Sequence, residues 1–397
     1  MEPSLRPTSP RFPMGGHWLT LRLAMLIVAS GVLWGGASAK ADPLSHDAVA
    51  AVMKKANAWQ LANPYCGLLD KDAADQDIWI RATWYTGVMA AYGATKDGEY
   101  LNQALHWAQT RQWMPGPEPN LGANILTCTQ TYLELYFITK NRAYIAPTIA
   151  WLDSGNPLTP TGGKVWYLDE AGRSYADSLY VAAPTLAMLA KATGDKRYLD
   201  WLDAFFWDVY RANFDPATDL FYRDSHYIGK LSANSKKILW ARGNGWVLAS
   251  LPRILTFLPA GDPRRGKYEA LFKRMSAAIA SRQQSDGLWR PNLDDAKEFP
   301  MPETSGSGFF CYGMAWGMRQ GLLERASYWP VVEKAWVGLV RCVSPEGKVE
   351  WGQLPNGEPG AVKQEDSQEY VTGAFLLAGS EILRLPESGA ASRPKAN

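Results

Sequence analysis

At 397 residues, with 47% hydrophobic and 12% aromatic side chains, the chain can bury a sizeable core in one large domain or two smaller ones. Its formal charge is +2, from 41 bases against 39 acids, so no basic field exists to hold nucleic acid or an anionic membrane surface. The four cysteines (Cys66, Cys128, Cys311, Cys342) form no C-x-x-C pair and the four histidines are scattered. That pattern argues against a metal site or a redox motif, and no cofactor is expected.

In chain order, Arg6, Arg11 and Arg22 precede an apolar run from Leu23 to Leu33, then small residues with two A-x-A sites, Ala37-Ser38-Ala39 and Ala39-Lys40-Ala41. This reads as a secretory signal peptide over residues 1–41, its apolar core too short to span a bilayer. The competing reading is an uncleaved N-terminal anchor. Cleavage removes four of the 41 bases and one of the 39 acids, leaving a formal charge of −1 on an exported chain, periplasmic or extracellular. Export permits disulfides, but no spacing demands one.

From Ser45 onward strand signals are weak and helical periodicity recurs. Thr95-Lys-Asp-Gly-Glu-Tyr100, Thr139-Lys-Asn-Arg-Ala-Tyr144 and Thr193-Gly-Asp-Lys-Arg-Tyr198 share one frame, Thr and Tyr five apart around a polar turn. Each follows an apolar, small-residue helix (Trp79–Ala94, Ile125–Ile138, Ser178–Ala192) and precedes a more amphipathic one. Asn244–Leu258 with Tyr268–Arg282, Phe309–Leu323 with Tyr328–Cys342, and Glu369–Leu385 continue the alternation, and Ser45–Leu61 opens it. Twelve helices result, six rich in Gly, Ala and aromatics alternating with six amphipathic ones. The expected fold is all-α, an (α/α)6 barrel of six helical hairpins over residues 42–386, with a disordered tail at 387–397. An open helical solenoid is the competing arrangement.

In such a barrel the loops entering the inner helices meet at one end. They carry Asp75 and Asp77, Asn120 to Asn124, Asp177, Arg242-Gly-Asn-Gly-Trp246, Glu303-Thr-Ser-Gly-Ser307 and Gln364-Glu-Asp-Ser-Gln-Glu369. Carboxylates, amides, an arginine and aromatics at one mouth suit a carbohydrate: rings stack on Trp and Tyr, hydroxyls pair with Asp, Glu and Asn. Asp177 stands out, a carboxyl among Tyr175, Leu179, Tyr180 and Val181 at a helix entrance. Two readings stand for it. Desolvation there would raise its pKa toward the range of a general acid, or the side chain simply caps the helix. No G-x-S-x-G frame and no strand-led glycine loop competes with carboxylate chemistry on a sugar.

Asp177-Ser-Leu-Tyr-Val-Ala-Ala-Pro, Phe221-Tyr-Arg-Asp-Ser225, Trp240-Ala-Arg-Gly-Asn-Gly-Trp246, Asp286-Gly-Leu-Trp289, Glu303-Thr-Ser-Gly-Ser-Gly308 and Tyr370-Val-Thr-Gly-Ala-Phe-Leu-Leu-Ala-Gly-Ser-Glu381 follow in this order. The set resembles the unsaturated uronyl hydrolases of glycoside hydrolase family 105, and is similar also to family 88, over about Ser45 to Leu385. The resemblance implies a six-hairpin barrel that hydrates the C4=C5 bond of an unsaturated uronate left at a non-reducing end by a polysaccharide lyase. Asp177 matches the family's acid, which protonates C4 and then serves as base toward water, with no nucleophile or metal.

Arg242 matches the family's arginine, assigned to the uronate carboxylate. Trp246 would stack on a sugar ring, Tyr175 stands where the family often has Trp, and Arg223 and His226 would border the pocket. Asn244 and Glu303 belong to the same matched runs and are expected to contact substrate. Asn124 departs from the family, which usually carries an acid there; an amide hydrogen-bonds a hydroxyl but accepts no proton at neutral pH. The expected substrate is an oligosaccharide with a terminal unsaturated uronate, rhamnogalacturonan fragments foremost. Two other readings stay open: an inverting glycosidase that pairs Asp177 with Asp75, Glu303 or Glu365, and a non-catalytic sugar-binding protein.

Overall fold

The computed structural model describes residues 42–64, 78–116, 122–154, 168 and 172–386. The expected signal peptide, Cys66, Asp75, Asp77, Asn120 and the C-terminal tail lie outside the described residues.

The described chain is built from helices. The six outer ones are α1 (His46–Ala62), α3 (Gly98–Thr110), α5 (Ala146–Asp153), α8 (Arg197–Asn213), α10 (Arg265–Ala280) and α12 (Arg325–Arg341). The inner ones are α2 (Ile78–Thr95), α4 (Thr127–Thr139), α6 (Ser178–Val181) with α7 (Ala183–Thr193), α9 (Ala241–Phe257), α11 (Thr304–Arg319) and α13 (Glu369–Arg384). One short hairpin, β1 (Phe214–Asp215) against β2 (Leu220–Phe221), pairs Phe214 with Phe221.

The Thr–Tyr frame works as a hinge between inner and outer helices. Each threonine hydroxyl donates to the carbonyl four residues back: Thr95 to Ala91 at 2.8 Å, Thr139 to Leu135 at 3.0 Å, Thr193 to Leu189 at 2.8 Å. It also accepts the N–H two residues on, from Asp97, Asn141 and Asp195. Those three side chains then receive the N–H groups of Glu99, Ala143 and Arg197, and so start the next helical segment. The residue between must be left-handed, and Lys96, Lys140 and Gly194 have φ of 60°, 61° and 79°.

Neighbouring inner helices pack in sequence, and α13 packs on α2, so the ring closes. This excludes the open solenoid. Closure depends on two glycines: a Cβ on Gly87 would overlap the Gly373 carbonyl oxygen, and one on Gly373 would sit 2.6 Å from the Thr83 carbonyl oxygen. Arg81 and Glu369 add an ion pair of 2.9 Å across the same seam.

The third inner helix is not continuous, contrary to the sequence expectation of Ser178–Ala192. Pro184 has no N–H for the Tyr180 carbonyl, and the chain breaks at Ala182. Gln130 repairs the loss by donating to Tyr180 O at 2.8 Å and to Val181 O at 3.4 Å. The break leaves Asp177 at the head of a single turn. Cys128, Cys311 and Cys342 are buried free thiols. Among the described residues no helix is long and apolar enough to cross a membrane, and no group of three metal-binding side chains gathers.

Candidate active site

Asp177 and Arg223 are brought together by backbone pairing. Tyr175 and Asp224 form an antiparallel bridge, and the Ala176 N–H donates to the Arg223 carbonyl at 2.8 Å. The guanidinium of Arg223 then lies with Nε 3.9 Å from Asp177 Oδ2 and 5.3 Å over the Tyr175 ring. Asp224 fixes it from behind: its carboxylate takes Arg223 Nη1 at 2.5 Å and the His226 N–H at 2.8 Å.

Asp177 does not cap its helix. Capping residues hold extended backbone angles, whereas Asp177 is already helical at φ −57° and ψ −32°, and its side chain makes no capping bond. The side chain is about one-fifth exposed, and Oδ2 is buried without a hydrogen bond. Burial pushes the carboxyl above the usual aspartate range, while the charges of Arg223 and then Arg242 restrain that rise. A carboxyl released from capping and partly desolvated can hold a proton for delivery.

It opens on a cavity of about 280 Å³ whose wall includes Trp79, Asn124, Arg223, Trp246 and Asn356. Asn124 heads a 3-10 turn, Asn124–Leu126, lines the cavity, and its side-chain amide has no hydrogen-bond partner among the described residues. The Trp246 ring lies 6.1 Å from Trp79 and 4.5 Å from Phe309. Trp79 stacks on Tyr370 at 5.6 Å with an 11° interplanar angle. Aromatic rings, the acid and the arginine thus share one lining.

Arg242 has a different role from the one expected of it. It is only 1% exposed. Nη1 donates to Gln353 O at 2.5 Å and to the Tyr370 hydroxyl at 3.0 Å, and Nη2 donates to Leu354 O and Asn356 O, both at 3.1 Å. Both terminal nitrogens are therefore committed to the segment 353–356, and the guanidinium is packed 4.5 Å over Trp240. Arg242 builds the wall formed by Pro355, Asn356 and Gly357; it does not present a fork to a ligand. Arg223, a quarter exposed with Nη2 uncommitted, does.

Arg242 still borders the cavity, as does Tyr175, whereas three expected contacts fall outside it. Asn244 is fully buried: its amide oxygen accepts the Phe221 N–H and its nitrogen donates to Phe221 O and Trp240 O, anchoring β2 to α9. Glu303 is fully buried at the start of α11, where its carboxylate accepts the N–H groups of Ser305, Gly306 and Gln353. His226 is exposed, on a 3-10 turn, and contacts Lys230. Glu365 is exposed and only its backbone carbonyl is engaged, by Lys348. Neither Glu303 nor Glu365 can serve as the second carboxylate of an inverting glycosidase, and Asp75 lies outside the described residues.

Trp79, Trp240 and the 355–357 segment line the cavity unforeseen. The tryptophans could have been found from their place at the heads of the first and fourth inner helices. The segment could not, since it contributes backbone carbonyls and shape.

Residues 44–386 match the family model described as Glycosyl Hydrolase Family 88. The chain is 32% identical over 363 residues to an unsaturated 3S-rhamnoglycuronyl hydrolase of Formosa agariphila, covering 87% of this chain and 93% of that protein. A glycosyl hydrolase family 88 structure from Bacteroides vulgatus superposes with a TM-score of 0.77 at 27% identity, over 86% of this chain and 99% of that one. A solved structure described as a polysaccharide lyase superposes with a TM-score of 0.75 at 32% identity, over 85% and 97%.

Proposed function

The chain belongs to Glycosyl Hydrolase Family 88, and on that premise we propose that it removes a 4,5-unsaturated uronic acid from the non-reducing end of lyase-generated oligosaccharides. The relative named for a rhamnoglycuronyl substrate favours a rhamnose-linked uronide. The observation that carries the reading is Asp177: uncommitted to its helix, partly desolvated, and set beside an arginine with open donors.

In this reading Arg223 receives the uronate carboxylate, and Trp246 with Trp79 packs against the ring. The Asp177 carboxyl gives its proton to C4, and the ring oxygen stabilises the cation left at C5. Water bonds to C5 and passes a proton back to Asp177, restoring the acid. The hemiketal then opens to a C5 ketone, and the freed C1 hemiacetal collapses to release the linked sugar. Asn124 offers hydrogen bonds to a ring hydroxyl or to the water, so the proton traffic runs through Asp177 alone. The first 41 residues have the charged, apolar, small pattern of a signal peptide, which supports an exported enzyme.

A second reading, eliminative cleavage, is favoured by the likeness to the lyase structure and by Asn124 in place of an acid. One assay separates the two. On lyase-generated oligosaccharides, hydration removes the ultraviolet absorbance of the enol acid; on intact uronate chains, elimination creates it. New reducing ends with the absorbance retained would instead mean ordinary glycosidic hydrolysis, and binding without change would mean a sugar-binding protein.

A further inference from the structure

The barrel has a second cavity that this chemistry does not use. At the ends of α2, α4, α9, α11 and α13 remote from Asp177, the inner helices enclose about 380 Å³. Aromatic rings of Tyr92, Phe137, Phe257 and Trp316 line it, and its charges are Lys96, Arg253, Arg319 and Arg384 against Glu134 and Glu381. The two excess cations decide nothing by themselves, because five helices end here and each C-terminus carries roughly −0.5 charge. Much of the charge is also spent internally. Arg319 binds Glu381 at 2.7 and 3.1 Å, and Arg384 binds Glu381 at 2.7 Å and Ala90 O at 3.0 Å.

What points to a ligand is the set of donors left over. Arg253 is 5% exposed; Nε donates to Gln130 at 2.6 Å and Nη2 to Glu134 at 3.1 Å, while Nη1 has no hydrogen bond among the described residues and is not sealed from the cavity. The Tyr312 hydroxyl is likewise accessible and unbonded. The Lys96 ammonium lies 5.4 Å over the Tyr92 ring and has no carboxylate partner among the described residues. A nearly buried guanidinium with an open N–H, a second cation and a hydroxyl donor all call for an oxygen-rich anion. The flat aromatic walls suit a pyranose face.

We propose that this cavity is a second binding site for a small carboxylated sugar, its carboxylate taken by Arg253 Nη1 and Lys96, a hydroxyl by Tyr312, and its ring packed on Trp316 and Tyr92. This is the chemical class of the uronate released at the other mouth, but the site stands on its own residues and not on the hydrolytic reading.

The test is calorimetric titration of the folded protein with sodium D-glucuronate, comparing wild type with Lys96→Gln and Tyr312→Phe. Neither side chain touches the Asp177 cavity, and the Tyr312 hydroxyl has no protein partner to lose. Two classes of site are expected. Each variant should weaken one class by roughly three- to tenfold, with turnover and melting temperature unchanged. Arg223→Ala should spare that class and weaken the other, so a failure of the hydrolytic reading would appear separately. One class of site, weakened by Lys96→Gln and Tyr312→Phe and spared by Arg223→Ala, would sink only the hydrolytic reading; wild-type binding in both variants, or D-glucose binding as tightly as glucuronate, would overturn the proposal.

Discussion

Replacing Arg242 with glutamine separates a structural guanidinium from a substrate clamp. Arg242 makes four hydrogen bonds from a buried position, three of them to backbone carbonyls of residues 353–356. Bonds from a charged donor contribute about 1.5–3 kcal/mol each but are not additive, since the loop can relax toward water. A net loss of about 3–5 kcal/mol is the expected scale for breaking a buried charged hub. For about 310 described residues the unfolding entropy is about 0.65 kcal/mol per degree, so the melting temperature should fall by roughly 5–8 °C. Arg242→Lys keeps the charge near Asp177 but cannot span three carbonyls, and should lose about half as much. The assay is thermal unfolding followed by circular dichroism, with kcat and KM measured on the same samples. An unchanged melting temperature in Arg242→Gln, with KM alone raised, would refute the account and make Arg242 the partner of the uronate carboxylate.

Four further outcomes are expected. Asp177 must be protonated to act as an acid, so activity is present below its pKa and lost as pH rises through it. Arg223 is the larger of the charges that hold this pKa down, so Arg223→Gln should move the alkaline limb of the pH–rate profile upward and raise KM by roughly tenfold or more. Asn124→Asp would place a second carboxyl in the cavity, and the two should titrate as a pair, shifting one limb of the profile; an unchanged profile and KM would put this side chain outside the site. Gly87→Ala should prevent the seam between α2 and α13 from closing, giving insoluble or loosely folded protein, where Ala90→Gly should not. Asp177 is more easily protonated folded than unfolded, so its ionisation costs stability as pH rises from the ordinary aspartate value through the raised one. Asp177→Asn should therefore melt at a higher temperature than wild type at pH 7, and the difference should vanish below the ordinary aspartate range; a lower melting temperature in the variant would contradict this.

The barrel was legible because its information is periodic and local. Three copies of the Thr–Tyr frame encode a threonine back-bond, a left-handed residue and a cap, and these need no tertiary context. The alternation of small-residue and amphipathic helices likewise separates inside from outside. The break in the third inner helix was also written in the sequence, at Pro184, but its repair by Gln130 depends on a residue 50 positions away. The site was legible where a motif residue also faces the cavity, as for Asp177, Asn124 and Trp246. Asn244 and Glu303 carry equally strong motif signals for another reason, which Arg242 at the cavity's edge shares: each satisfies backbone groups where loops meet inner helices. A motif marks a residue whose replacement is costly, and buried hydrogen-bond hubs cost as much as ligands do. The sequence shows little of Arg223's importance, because its position depends on the Tyr175–Asp224 bridge, a long-range pairing with no periodic trace.

The proposed reaction turns on the Asp177 carboxyl protonating C4 of an unsaturated uronide so that water adds at C5. The most direct measurement follows the enol-acid absorbance of a lyase-generated, rhamnose-linked disaccharide with wild type and with Asp177→Asn, each shown to be folded. The account predicts steady loss of absorbance with release of free rhamnoside by wild type. It predicts a rate lower by about 10²–10⁴ or more in Asp177→Asn, with substrate binding retained. Loss of absorbance at a near wild-type rate in Asp177→Asn, or rhamnoside release with the absorbance intact, would contradict it.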